Sequence, residues 1–185
     1  MKSHGSLIRT IAAGCLSAVL LIGCVEQSDD TIVVGLSADI TTFEPGMISS
    51  RDNSNIARHI FSSLFALGPE GEHIPELAHT LDVTEDGTGY IYTLNEGLTC
   101  HDGESLTAED VAYTFNRIAD PVNRFTGNAP GFVFTSIGFQ NAEALDELRV
   151  QINIERKNPI AFGLITEINV HCKDSYEQMS LDEAA

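Results

Sequence analysis

Tryptophan is absent, and only ten of the 185 residues are Lys or Arg, against 27 Asp and Glu. The formal net charge is −17 at pH 7, and no cluster of bases offers a local exception. A surface of that sign repels phosphate backbones and anionic headgroups, which excludes nucleic-acid binding as a function class. Four Cys, six Pro and 15 Gly are too few for a disulfide scaffold or a collagen-like repeat. A hydrophobic content of 43% is too high for an intrinsically disordered chain. Also missing are G-x-S-x-G, H-E-x-x-H, C-x-x-C and any Gly-rich phosphate loop, so hydrolase, zinc and nucleotide chemistry have no motif to rest on. The expectation is a non-enzyme with no cofactor and no metal site.

What is present begins with a leader. Lys2, His4 and Arg9 make a basic start, and Ile11 to Ile22 is a run of twelve residues without charge. Even extended to Val25, the run is shorter than the roughly 18–20 apolar residues that span a bilayer. Charge order and length predict a secretory signal peptide over residues 1–23. Leu21-Ile22-Gly23-Cys24 resembles the bacterial lipobox, in which cleavage precedes the Cys and its sulfur receives a diacylglycerol. Cys24 is therefore the expected lipidation site, followed by a tether to residue 30. The alternative is an ordinary signal peptide cleaved elsewhere, with Cys24 incidental. A product starting near residue 24 carries 27 acids against 8 bases, a net charge of −19. Cys15 leaves with the leader, so Cys100 and Cys172 remain as a pair in an oxidising compartment.

Along the mature chain, residues 31–36 (TIVVGL) read as a buried strand. Pro45-Gly46 forces a turn, and Ile56, Ile60, Phe61 and Leu64 have helical spacing, predicting an amphipathic helix over 54–67. Leu81 to Leu94 is the clearest hairpin, with Glu85-Asp86-Gly87 at its turn and Tyr90, Tyr92 and Leu94 on one face. Further turns fall at Asn95-Glu96-Gly97 and Asp102-Gly103. Thr107 is placed to cap a helix whose apolar stripe is Val111, Phe115 and Ile118, and Pro121 stops it. Residues 127–138 read as loop. Alternation over 148–155 predicts a strand with Val150, Ile152 and Ile154 on one face, and an apolar segment, Ile160 to Ile168, follows. Asp102 and Glu104 read as solvated turn acids rather than paired catalytic carboxylates. His59 and His101 are isolated, and His73 and His79 lie six apart across Pro75, which suits no helix-face metal pair.

Several of these segments fall in the order of one family. They are Val33 to Gly35 with the loop before Glu44-Pro45, Ile60 to Leu64, Pro75 to Ala78, Asp86-Gly87 with Tyr90 to Leu94, and His101 to Gly103. The run Cys100 to Val111 (CHDGESLTAEDV) is close to the signature F-H-D-G-x-x-L-T-A-E-D-V. This pattern resembles the family 5 extracellular solute-binding proteins of ABC importers, the oligopeptide, dipeptide and nickel-binding group, over residues 31 to 175.

The resemblance implies an α/β, periplasmic-binding-protein type II-like fold. It is incomplete here, because such proteins have two lobes over roughly five hundred residues. Residues 31–45 would start lobe one, 46–157 would form the family's extra α+β subdomain, and 158–185 would return to lobe one, with lobe two absent. Ile160 to Ile168 is then expected to stay partly exposed. The resemblance also implies capture of peptides or related small solutes, delivery to ABC permease subunits, and a periplasmic or cell-surface location on a lipid anchor. The loop 39–44 would face the cleft, with Thr41, Thr42 and Phe43 at its edge; an ordinary turn is the plainer reading of the same residues. Since the family has Phe where this chain has Cys100, that Cys is expected to be buried and unbridged to Cys172. A different class of function, an envelope lipoprotein acting as a protein-interaction scaffold, would use the same subdomain only to contact protein.

Overall fold

A computed structural model of the chain describes residues 32–177. Its elements run α1 (Arg51–Ala57), β1 (Phe65–Leu67), β2 (His73–Pro75), β3 (Ala78–Val83), β4 (Gly89–Leu94), α2 (Ala108–Ala119), α3 (Thr135–Ile137), β5 (Phe139–Ala144), β6 (Arg149–Ile154), α4 (Ala161–Ile165) and α5 (Lys173–Glu177). The chain divides into two units after Gly35, and all of these elements belong to the second.

The centre is a four-stranded antiparallel sheet ordered β3-β4-β6-β5. β3 and β4 form the expected hairpin, with Leu81 opposite Tyr92 and Val83 opposite Tyr90. At its turn the Asp86 carboxylate accepts hydrogen bonds from the Thr84 hydroxyl at 2.6 Å and the Thr88 amide at 3.1 Å. Gly87 takes a φ of 73°, which glycine adopts without a Cβ penalty. β6 pairs with β4, setting Val150 opposite Tyr92 and Ile152 opposite Tyr90. Strand side chains alternate, so Tyr90, Tyr92, Leu94, Val150, Ile152 and Ile154 share one face, and all are buried. The other face carries polar side chains in series: Gln151 donates to Asn153, which donates to Asn141, each at 2.6 Å. One packed and one solvated face is a common antiparallel arrangement.

α2 covers the packed face beside β5 and β6. It starts at a capping box, in which the Asp110 carboxylate accepts from the Thr107 amide at 2.8 Å. Val111, Phe115 and Ile118 are fully buried, as their spacing predicts. Phe115 stacks on Phe134 with centroids 5.8 Å apart. At the sheet margin, the Asn116 amide nitrogen donates to the Ala142 carbonyl at 2.7 Å, and its oxygen accepts from the Ala142 amide at 2.9 Å.

Four expectations change. Residues 32–36 form no strand, and Ile32 and Val33 are more than 85% exposed; an apolar, β-branched run alone does not make a strand without paired backbone groups. The helix predicted over 54–67 is α1, which starts earlier because the Ser50 hydroxyl accepts from the Asn53 amide. It also stops earlier, since the Ser63 and Leu64 carbonyls accept from the Leu77 and Ala78 amides. That pairing draws Leu64 and Phe65 into the core and overrides the helical spacing. Residues 127–138 hold a π-helical turn (Ala129–Phe134) and α3, not a loop, because Val133, Phe134 and Ile137 are buried against the core. Within Ile160 to Ile168, Ile160 is exposed, but Ala161, Ile165 and Ile168 are at most 1% exposed, packed on the same core.

Candidate ligand edge and the seam behind it

The loop proposed for the ligand is clipped by the first turn of α1. The Asp52 carboxylate accepts from the Ser37 hydroxyl at 2.5 Å and from the Ser37 and Ala38 amides at 3.1 and 3.0 Å. The Ser37 hydroxyl bond leads in holding its pKa below the usual carboxylate range. Asn53 is buried and donates to the Thr41 hydroxyl at 3.0 Å and the Thr42 carbonyl at 3.1 Å. The Thr42 hydroxyl accepts from the Glu44 amide at 3.0 Å. Thr41 is exposed, Thr42 half-buried and Phe43 exposed, so the edge offers two anchored hydroxyls and one aromatic ring. Asp52 and Asn53 escaped sequence reasoning; the available signal was a capping Ser50 followed by polar residues that an apolar-spacing search passes over.

Glu44 ends the loop in a sealed ion pair. Its Oε1 accepts from Arg117 Nη1 at 2.9 Å and from the Gly46 amide at 3.0 Å. The side chains of Arg117 and Glu44 are 8% and 1% exposed. Arg117 also lies 4.9 Å from the Phe125 ring centroid and 5.1 Å from that of Tyr176, within cation–π range. The next residues are packed to contact: a Cβ on Gly46 would come within 2.5 Å of the Phe125 ring, and one on Gly127 within 2.6 Å of the Gly46 carbonyl oxygen.

The same seam takes in the returning chain, residues 168–177. Thr114 accepts from the His171 amide at 3.2 Å and donates within reach of its carbonyl at 3.0 Å. Asp110 accepts from the Lys173 amide at 2.8 Å, and Lys173 pairs with Glu109. Tyr176 lies on the His171 ring at 4.1 Å, and burial pushes its hydroxyl up to about 12. Burial first, and then the Arg117 charge, pulls His171 down to about 3; both its ring nitrogens are buried with no hydrogen-bond partner among the described residues.

Cys100 and Cys172 form a disulfide across 72 residues, with Cα atoms 6.2 Å apart. This corrects the expectation of an unbridged Cys100. The turn at Asp102-Gly103 and the returning chain meet at the α2 N-terminus, a contact invisible in sequence, and the half-buried thiols are adjacent there. Asp110 lies near both sulfurs, but the sulfurs are bonded to each other and its oxygens accept from Thr107 and Lys173, a structural rather than metal-binding arrangement.

Grooves of ligand size lie among the described residues. One, about 520 Å³, follows α2 past Tyr113, Arg117 and Lys173. Another, about 530 Å³, lies between Phe61, Leu106 and the disulfide. Thr41, Thr42 and Phe43 line neither. Asp102 and Glu104 are exposed, and Asp102 closes its own turn by accepting from the Glu104 amide at 3.0 Å. His59, His79 and His101 are exposed, while His73 stacks on Phe162 at 4.1 Å. Cys24 lies outside the described residues, which contain no helix long and apolar enough to cross a membrane.

Residues 72–184 match a family model described as bacterial extracellular solute-binding proteins, family 5 Middle. The dipeptide-binding protein of Lactococcus lactis is 26% identical over 108 residues, covering 57% of this chain and 20% of that protein. The glutathione-binding protein GsiB of Shigella boydii is 28% identical over 161 residues, covering 87% of this chain and 29% of its own. Among solved structures, the ABC transporter substrate binding protein CtaP of Listeria monocytogenes superposes with a TM-score of 0.68 at 30% identity, over 82% of this chain and 30% of that one. The chain thus spans between a fifth and three tenths of the length of these relatives. The fold is accordingly an α/β part of the periplasmic-binding-protein type II architecture, and the chain belongs to the family 5 bacterial extracellular solute-binding proteins.

Proposed function

We propose that the chain is the leading part of an ABC-importer receptor that captures peptides or related small solutes and passes them to a membrane permease. The observation that supports this is the match of residues 72–184 to the family. Thr41, Thr42 and Phe43 form one edge of the cleft: the hydroxyls donate to a ligand's carbonyls, and the Phe43 ring covers an apolar group. Peptides suit such a site, because backbone groups recur in every sequence and wet side-chain pockets leave specificity loose. Cys24 carries the lipid that holds the receptor at the membrane in the periplasm or on the cell surface. Closure of two walls supplies affinity, since clefts of this kind bury most of the ligand between them.

A hybrid tests the reading. Replacing the matching part of the Listeria protein with residues 32–177 is expected to leave a folded receptor that retains its ligand, and Phe43→Ala is expected to weaken it by tenfold or more. A folded hybrid that binds nothing would overturn the reading. The 185-residue chain alone is expected to show no micromolar binding to a mixed di- to pentapeptide library in calorimetry; tight binding would place the whole site within it.

A further inference from the structure

The loop at residues 39–44 is held at one end by α1 and at the other by Glu44. Glu44 in turn is fixed by Arg117, 73 residues away. We infer that Arg117 is a positioning residue that sets the ligand-edge loop through Glu44 and ties it to the returning chain. The importance of that loop for ligand rests on the reading above; its dependence on Arg117 does not.

Four observations carry the inference. The ion pair is sealed from water, with the guanidinium near both Phe125 and Tyr176. The planar group of Arg117 satisfies an ion pair and ring contacts together, which a lysine cannot reproduce. The residues after Glu44 cannot slide to compensate. The Gly127 and Asn128 amides donate to the Gly46 and Ile48 carbonyls at 2.9 and 2.8 Å, and both glycines are packed too closely to admit a methyl group. Tyr176, the second ring, belongs to the returning chain, which is itself fixed by Thr114, Asp110 and the disulfide. Arg117 is thus where the leading segment, the 121–127 connection and the returning chain are brought into one register. The other Glu44 oxygen, Oε2, is buried with no hydrogen-bond partner among the described residues, so removal of Arg117 leaves a buried carboxylate without its countercharge.

Amide hydrogen exchange of the 185-residue chain, without ligand, tests this. In Arg117→Met, exchange at Thr41, Glu44 and Gly46 is expected to rise at least tenfold, while amides of β4 and β6 change less than twofold. Arg117→Lys is expected to recover part of the protection at Glu44 and Gly46, because it keeps the charge. Phe125→Leu, which keeps the ion pair and loses one ring, is expected to fall between Arg117→Lys and wild type, and with Arg117→Lys it gives the answer if Arg117→Met does not fold. Loop exchange unchanged from wild type, or uniform acceleration across β4 and β6, would overturn the role. A hybrid receptor that fails to bind, beside a loop that loosens as described, would instead overturn the ligand reading alone.

Discussion

Beneath α2, burial is achieved with Val111, Phe115, Ile118, Tyr92, Val150 and Ile152, all at most 1% exposed. Along the 39–44 loop and the seam behind it, it is achieved with Glu44, Asn53, Thr114 and His171, none more than 3% exposed. The first region gains roughly 1.5–3 kcal/mol for each large apolar side chain removed from water. The second gains little net energy, because desolvating charges offsets most of their attraction. Its value is geometric: each polar group accepts only one arrangement of partners, so segments distant in sequence are held in a single register. Stability thus resides in the apolar layer, and the placing of the 39–44 loop, the proposed ligand edge, resides in the polar seam.

The largest expected effect tests the apolar side. Phe115→Ala removes a ring that packs on Phe134 and Phe139 and is expected to cost about 3–5 kcal/mol in urea unfolding. A loss below about 1 kcal/mol would show that α2 does not carry the core. Next comes the disulfide. Closing so long a loop stabilises by about 2–4 kcal/mol, so Cys172→Ser is expected to lower stability by that amount. Hydrogen exchange should then accelerate first at residues 99–105 and 168–177, ahead of β4 and β6. Simultaneous loss throughout would merge the two regions into one cooperative unit.

The smallest effect, taken over a single pH unit, is one of pH. The folded state holds His171 neutral down to about 3, whereas the unfolded chain takes up its proton near 6.5. Between those values the unfolded state binds more protons, so stability falls as pH falls, by roughly 1 kcal/mol from pH 6 to 5. The carboxylates of Asp52, Asp86, Asp102 and Asp146, held below their usual range by hydrogen bonds, act in the same direction at lower pH. His171→Leu should flatten the slope between pH 6.5 and 4; an unchanged slope would place the titration elsewhere.

Sequence reasoning saw one of these regions far better than the other. The β3–β4 hairpin, β6 and α2 announce themselves through alternation, turn residues and a capping Thr107, all properties of contiguous residues. β5 (FQNAEA) escaped because it buries Ala142 but leaves its other alternating positions half or fully exposed. The seam escaped for a deeper reason: Glu44, Arg117 and Tyr176 have no spacing that signals contact, and His171 looks like any other isolated histidine. Thr41, Thr42 and Phe43 came from family likeness, and nothing local distinguished them from a turn. The disulfide is legible only through the oxidising compartment, because the family pattern at Cys100 points the other way, to a core aromatic position.

The two hydrogen bonds from Asn116 to Ala142 have a consequence for how copies of this chain meet. β5 ends the sheet, and an outer strand with free amides and carbonyls is a template on which a second extended chain can grow a ladder. Here the middle of that template is already occupied by a helix side chain. Any intruding strand must first displace an amide that satisfies both of Ala142's backbone groups, and the intruder would gain nothing in hydrogen-bond count by doing so. Polymer growth by sheet extension is thereby obstructed at the β5 edge, and a single amide at a helix margin acts as the terminator.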